Sequence, residues 1–310
     1  MQVTASMVKE LRELTGAGMA ACKNALVEAN GDVKRASEIL REKGLAAAAK
    51  KAGRVAAEGL VAAAVTSDRK NGALVEVNSE TDFVAKNEDF VTFVQQVANH
   101  VLASGAKTPE ELVEEKWIAD TTQTVKEALA NKVATIGENI GIRRFARFAA
   151  NGANEAVIEY IHGGGRVGAM LLVSAPEIND AVLEAGRNVC MQIAAMSPQF
   201  VSRDDVPAEH IANEKEILTK QAMQENEAAD KPKPAQVIEK MVEGRLAKGL
   251  KEVCLLDQEY VKDAEHTVAS YLKSVGADVK IADFTRYEKG EGIEKKEVDF
   301  AAEVAEAMKG

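Results

Sequence analysis

The stretch Val77-Asn78-Ser79-Glu80-Thr81-Asp82-Phe83-Val84-Ala85-Lys86-Asn87 decides how the rest of the chain is read. It follows an apolar run, Ala73-Leu74-Val75-Glu76-Val77, of strand character. It precedes Phe90-Val91-Thr92-Phe93-Val94-Gln95-Gln96-Val97, which reads as a helix. Between the two, a polar turn carries one bulky aromatic, Phe83, beside an acid, Asp82. A Phe in a tight strand-to-helix turn is either tucked under its own domain or offered to a partner, and the turn alone favours the core. Thr81 or Asp82 is a ready cap for the following helix, since either side-chain oxygen can accept an unpaired amide of the first turn.

Upstream, residues 59–65 read as a strand, 67–72 as a turn and 73–78 as the returning strand, a hairpin. Downstream, an amphipathic helix runs to about residue 103, and Pro109 opens a helix that includes Trp117. A further helix is expected over 122–134, and Ile136-Gly137-Glu138-Asn139-Ile140-Gly141 turns the chain into a strand ending at Ala149.

This pattern then repeats. Residues 156–161 and 167–174 form a second hairpin about a turn at 162–166, followed by a helix over 176–195. Gly168-Ala169-Met170-Leu171-Leu172-Val173-Ser174 echoes Gly72-Ala73-Leu74-Val75-Glu76-Val77-Asn78. The sequence therefore predicts an α+β fold with a duplicated core, its first half spanning 58–150 and its second 151–206 and 250–288. The second copy reads Ala175-Pro176-Glu177-Ile178 where the first has its aromatic turn. The scaffold repeats and the Asp82–Phe83 feature does not, which argues that Phe83 is functional.

Three further segments complete the chain. Residues 1–45 predict a compact three-helix module: Met7, Val8, Leu11 and Leu14 share one face, Gly16 stops the first helix, and Asp32 caps the third. Residues 46–57 read as a small, basic, partly helical linker with Lys50, Lys51 and Arg54. Residues 207–249 predict an antiparallel helical hairpin broken at Asp230-Lys231-Pro232-Lys233-Pro234, an arm that could reach a partner or form a homodimer. The tail returns to α+β texture: residues 267–275 read as helix and 277–287 as strand. A C-terminal module over 289–310 is expected to hold a short helix with Phe300, Val304 and Met308 on one side.

A net charge of −10 argues against sequence-independent binding to nucleic acid, which needs clustered Lys and Arg. Cys22, Cys190 and Cys254 form no CxxC pair, so neither a zinc knuckle nor a disulfide framework is expected. No run approaches a membrane span and no secretory leader is read at the N-terminus, so a cytoplasmic location is expected. Gly163-Gly164-Gly165-Arg166-Val167-Gly168 fits GxGxxG but lies between two strands rather than between a strand and a helix. No P-loop is present and the four histidines are isolated, so no nucleotide site, cofactor or metal is expected and the chain is not read as an enzyme. Glu80 and Asp82 could be imagined as an acid/base pair, but turn and cap roles are the ordinary use of such residues.

Leu11-Arg12-Glu13-Leu14-Thr15-Gly16-Ala17-Gly18-Met19 and Asn30-Gly31-Asp32 resemble the opening of the bacterial translation elongation factor Ts family. Glu76 to Lys86, Ile136 to Ile140, Met241-Val242-Glu243-Gly244-Arg245 and Gly290-Glu291-Gly292-Ile293-Glu294-Lys295 resemble the same family, in family order. The resemblance implies a ubiquitin-associated-like N-terminal domain, the duplicated α+β core, a coiled-coil hairpin insertion and a C-terminal helix. It implies guanine-nucleotide exchange on elongation factor Tu. Thr81, Asp82, Phe83 and Val84 would enter the partner near its magnesium site. Leu11, Arg12 and Met19 match an N-terminal contact surface, and Ile136 and Gly137 match a contact near the nucleotide. His162 falls where the family has a His–Gly contact, although this chain reads His-Gly-Gly-Gly-Arg, and Ala20 stands where a second methionine can occur. The competing reading is a partner-binding or assembly module without exchange activity.

Overall fold

The computed structural model describes residues 3–229, 231–276 and 278–294. The helix expected near the C-terminus, over 299–308, lies outside the described residues.

Three helices open the chain: α1 Ala5–Thr15, α2 Met19–Glu28 and α3 Val33–Lys51. Thr4 caps α1 by accepting from the Met7 amide, Gly16 ends it in the left-handed conformation, and Asp32 caps α3. Val8, Leu11, Cys22, Ala25, Leu26, Ala36 and Ile39 close a small core between them. The third helix does not stop near Gly44 but continues to Lys51, through half of the segment read as linker. Gly44 sits inside it, where a Cβ would approach Asn131 Oδ1 to 3.1 Å. The absent side chain lets α3 lie close against α7, Val125–Ile136.

The first core half is an antiparallel sheet of β1 Glu58–Val65, β2 Asn71–Ser79 and β3 Gly141–Ala149, with β2 central. Between β2 and β3 come the single turn α4 Asp82–Ala85, the long α5 Glu88–Ala103, the short α6 Pro109–Leu112 and α7. Phe90, Phe93, Val94, Val97 and Val101 of α5 pack on one face of the sheet. Trp117 is not helical: α6 ends at Leu112, and Trp117 precedes the Thr124–Glu127 capping box that starts α7 at Val125. Its ring is buried instead against Phe93 and His100, with centroids 5.8 and 5.2 Å away.

The second half repeats the plan with β4 Glu155–His162, β5 Val167–Ser174 and β8 Lys280–Glu288, β5 central. Its helix α8 Asp180–Met196 starts later than Pro176 because Asn179 supplies the cap. Into the long connection before β8 are inserted the helical hairpin of α9 Ala208–Glu227 and α10 Ala235–Val253, a small ribbon of β6 Glu259–Tyr260 and β7 Asp263–Thr267, and α11 Val268–Val275. Only Ala222 and Val242 are buried within α9 and α10, and Arg245 closes on Glu225 at 2.7 Å.

The duplication extends to irregularities. The β2–β3 register shifts between Glu76 and Val77, and the β5–β8 register between Leu172 and Val173. These are corresponding positions in the two echoing stretches. The sheets meet face to face through Val61, Leu74, Phe148, Val157 and Met170. With α5 on one side and the second sheet on the other, β2 is buried along nearly its whole length. That explains a near-continuous apolar run in place of strict alternation.

Candidate functional site

Sheet, turn and helix caps together decide where Phe83 points. Strand β2 ends at buried Ser79, whose hydroxyl donates to the Thr81 carbonyl at 3.1 Å. Thr81 then caps α4, its Oγ1 accepting from the Val84 amide at 3.4 Å, and Asn87 caps α5 by accepting from the Asp89 amide at 2.8 Å. Within this one turn Ala85 is buried and Val84 packs against the first-half core. Phe83 falls on the opposite side and is 80 % exposed. The core reading favoured by the turn alone is therefore wrong, because two smaller neighbours occupy the inward positions.

Asp82 is half exposed and accepts from Lys86 Nζ at 2.7 Å, one helical turn away. The Lys86 hydrogen bond holds its carboxyl below the usual aspartate range, against the opposing effect of burial.

The turn is tied to the loop that follows α7. Glu138 Oε2 accepts from the amides of Glu80 and Thr81 at 3.1 and 3.0 Å, and its Oε1 accepts from Thr81 Oγ1 at 2.6 Å. Glu80 answers in kind, its Oε1 accepting from the Asn139 amide at 2.5 Å. Arg54 supplies the cation, 3.5 Å from Glu80, and its carbonyl accepts from Asn139 Nδ2 at 2.8 Å. Both acids once considered for acid/base work are therefore engaged in structural bonds. Gly137 caps α7 at φ +90°, a conformation that penalises any side chain. Ile136, half-buried, packs on the core, and Gly137 is exposed beside it.

Of the sequence-predicted residues, the fold thus joins Thr81, Asp82, Phe83 and Val84 to the Ile136–Gly137 corner. Arg12 and Met19 lie exposed on the helical module, with Leu14 and Val27 as further exposed apolar residues. Leu11 is a correction: it is wholly buried in the three-helix core and supports that surface from beneath rather than presenting a side chain. His162 is exposed at the end of β4, its Nδ1 2.8 Å from Tyr160 Oη. The turn it begins docks on the first half where the Val61 amide donates to the Gly165 carbonyl at 2.8 Å.

Sequence reading missed the roles of Glu138 and Asn139. The only available signal was a Glu-Asn pair just past a glycine stop, and nothing local links it to residue 80.

Behind the turn, Glu76 is a fully buried carboxylate in β2. It accepts from Asn78, Arg143, Arg144 and the Gly290 amide at 3.1, 3.0, 2.6 and 2.8 Å. Gly290 follows the last strand of the second half, so the network ties both halves together below the turn. Burial pushes the Glu76 carboxyl up, but these four donors outweigh it and hold it below the ordinary glutamate value.

Among the described residues no group of three or more His, Cys, Asp or Glu is placed to hold a metal ion, and no helix is long and apolar enough to cross a membrane. The geometry offers an aromatic wedge on a braced turn, an arrangement suited to insertion into another protein.

The sequence model described as Elongation factor TS matches residues 80–291, more than half of the chain. Elongation factor Ts of Clostridium kluyveri is 51 % identical over 313 residues, covering 99 % of each chain. That of Clostridioides difficile is 51 % identical over 311 residues, again covering 99 % of each. That of Clostridium perfringens is 52 % identical over 307 residues and 98 % of each. Similarity of this extent runs through the helical module, both core halves and the hairpin, and the chain belongs to the elongation factor Ts family.

Proposed function

We propose that the chain is a guanine-nucleotide exchange factor for elongation factor Tu, promoting GDP release so that GTP can bind during translation elongation. The observation that carries this reading is the exposure of Phe83 on a turn held by capped helices and a carboxylate clamp. An aromatic left in water on so fixed a support is poised to insert between structural elements of a partner. In this reading Phe83 wedges between helices of the GTPase while Asp82 disturbs its magnesium shell. Lys86 competes for Asp82 beforehand, and an exposed pair of this kind is weak enough to open.

Magnitudes limit what one residue does. A nucleotide held at nanomolar affinity is bound by about 12 kcal/mol. Accelerating its release 10⁴-fold requires roughly 5.5 kcal/mol of transition-state stabilisation. Burying one Phe contributes about 1.5–3 kcal/mol. The remainder must come from a wider surface, for which Ile136, Gly137, His162, Arg12 and Met19 are the candidates. Linkage then requires factor and nucleotide to weaken each other's binding by the same factor.

Stopped-flow release of fluorescent GDP from elongation factor Tu tests the proposal, with the wild-type chain and Phe83→Ala. Strong acceleration that drops in the variant supports exchange through the turn. Nucleotide-insensitive binding without acceleration would instead leave an assembly module.

A further inference from the structure

Single-turn α4 has no stability of its own, since isolated helices shorter than ~12 residues are marginal in water. Something outside it must fix the direction of Phe83. Val84 and Ala85 hold the inner side by packing. On the outer approach, from β2 into the turn, Glu80 accepts from the Asn139 amide, and a carboxylate of the same distant loop reaches back to the turn. Glu138 takes both successive amides, of Glu80 and Thr81, and the Thr81 hydroxyl besides.

The Thr81 hydroxyl makes this bond consequential. Its proton is committed to Glu138 Oε1, which leaves an oxygen lone pair for the Val84 amide, the capping bond of α4. One carboxylate therefore sets both the entry angle of the turn and the orientation of its cap. The same residue sits directly after Gly137, so Glu138, together with the Glu80–Asn139 bond, holds half-buried Ile136 and exposed Gly137 in register with exposed Phe83.

We propose that Glu138 is a positioning residue for nucleotide exchange, bracing the Thr81–Val84 turn against the Ile136–Gly137 corner so that Phe83 and that corner meet the partner as one rigid surface. This rests on the exchange reading above. Glu138 does not touch the partner's nucleotide in this role; it acts through Thr81. Its chemistry is specific. An amide at 138 still accepts from the hydroxyl, but its NH2 group then faces two backbone N–H donors, so Gln is not a conservative replacement here.

The test measures GDP release from elongation factor Tu over a range of factor concentrations, for wild type, Glu138→Gln, Phe83→Ala and the double variant. A loosened turn lowers the maximal release rate about 10- to 100-fold, because misplacement near 1 Å costs on that order. The half-saturating concentration, set by the wide interface, changes far less. The double variant releases GDP no more slowly than the worse single one, since Glu138 works only through the turn that carries Phe83. Amide hydrogen exchange of the free chain accelerates at Glu80 and Thr81 and not in β5, which shows that Glu138→Gln is folded. Thr81→Val removes the hydroxyl end of the same clamp and gives a smaller version of the same split. An unchanged maximal rate in Glu138→Gln, or effects of Glu138→Gln and Phe83→Ala that multiply, would overturn the positioning role alone. A wild-type chain that leaves GDP release unaltered would overturn the exchange reading and this role with it.

Discussion

Gly72 leaves room for Val157: a Cβ at Gly72 would stand 2.5 Å from Val157 Cγ1. The same relationship recurs with the halves exchanged, since a Cβ at Gly168 would stand 2.5 Å from Val61 Cγ1. Gly72 and Gly168 hold corresponding places in the two echoing strands, as do Leu74 and Met170, which share the same interface. The duplicated halves therefore pack about an approximate two-fold axis, each glycine receiving a valine of the other sheet. Valine has little χ1 freedom with which to yield. Gly72→Ala and Gly168→Ala are each expected to destabilise the chain by about 1–3 kcal/mol through overpacking. Urea denaturation checks this, and the two effects should fall short of additive because both strain the one interface cluster that holds Val61, Leu74, Val157 and Met170.

How much of this was legible in the sequence depended on the range of the interaction. Hairpins, caps and helix stops are local, and Gly16 and Asp32 take their expected places. The duplication was visible because seven consecutive residues repeat their pattern. The end of α3 was less legible, since Gly44 permits helix–helix approach and its neighbour Asn131 is far away in sequence. The turn around Phe83 was ambiguous by itself, because a four-residue helix has too few positions to display a period, and it was the comparison of the two copies that set Phe83 apart. The Glu138 clamp joins positions 57 and 58 residues apart and leaves no local trace.

Thr81 is expected to tolerate serine and not valine. Thr81→Ser keeps the hydroxyl that caps α4 and donates to Glu138, and should remain near wild type in stability. Thr81→Val keeps the shape and loses both bonds, which should cost about 1 kcal/mol, the usual worth of an N-cap. Paired denaturation curves decide, and equal stabilities for the two variants would show that the hydroxyl is idle.

His100 predicts a loss of stability in mild acid. Its ring is buried beneath Trp117, Nδ1 accepts from the Ile118 amide at 3.2 Å, and the Nε2 proton points to Glu115 Oε2 at 3.1 Å. Burial holds its pKa below the ordinary histidine value, against the opposing pull of Glu115. The unfolded chain therefore takes up a proton first. Stability contributed by the neutral ring is complete above about pH 6.5 and declines as pH falls below it, by at most about 1.4 kcal/mol per pH unit. Urea midpoints at pH 7.5 and 5.5 should differ in that direction, and His100→Gln should flatten the slope. A higher midpoint at pH 5.5 would mean that Glu115 outweighs burial.

Glu76 governs a separate, more acidic window. Its folded carboxyl lies below the ordinary glutamate value, so its contribution is complete above about pH 4.5 and is lost as pH falls from there through the folded value. Leu172 occupies the corresponding place in the second half, which makes Glu76→Leu an informative substitution. Leucine would fill the space but strand Arg143, Arg144, Asn78 and the Gly290 amide without their acceptor. Breaking a buried ion pair costs about 3–5 kcal/mol, and the lower end applies because both arginines are about 30 % exposed and regain some water. Glu76→Gln should cost less, since its carbonyl oxygen keeps part of the network, while removing the acid limb of the stability profile. Because Gly290 belongs to the tail of the second half, Glu76→Leu should also speed hydrogen exchange at residues 288–291. If that exchange stays unchanged while stability falls, Glu76 serves the first sheet alone and does not couple the halves.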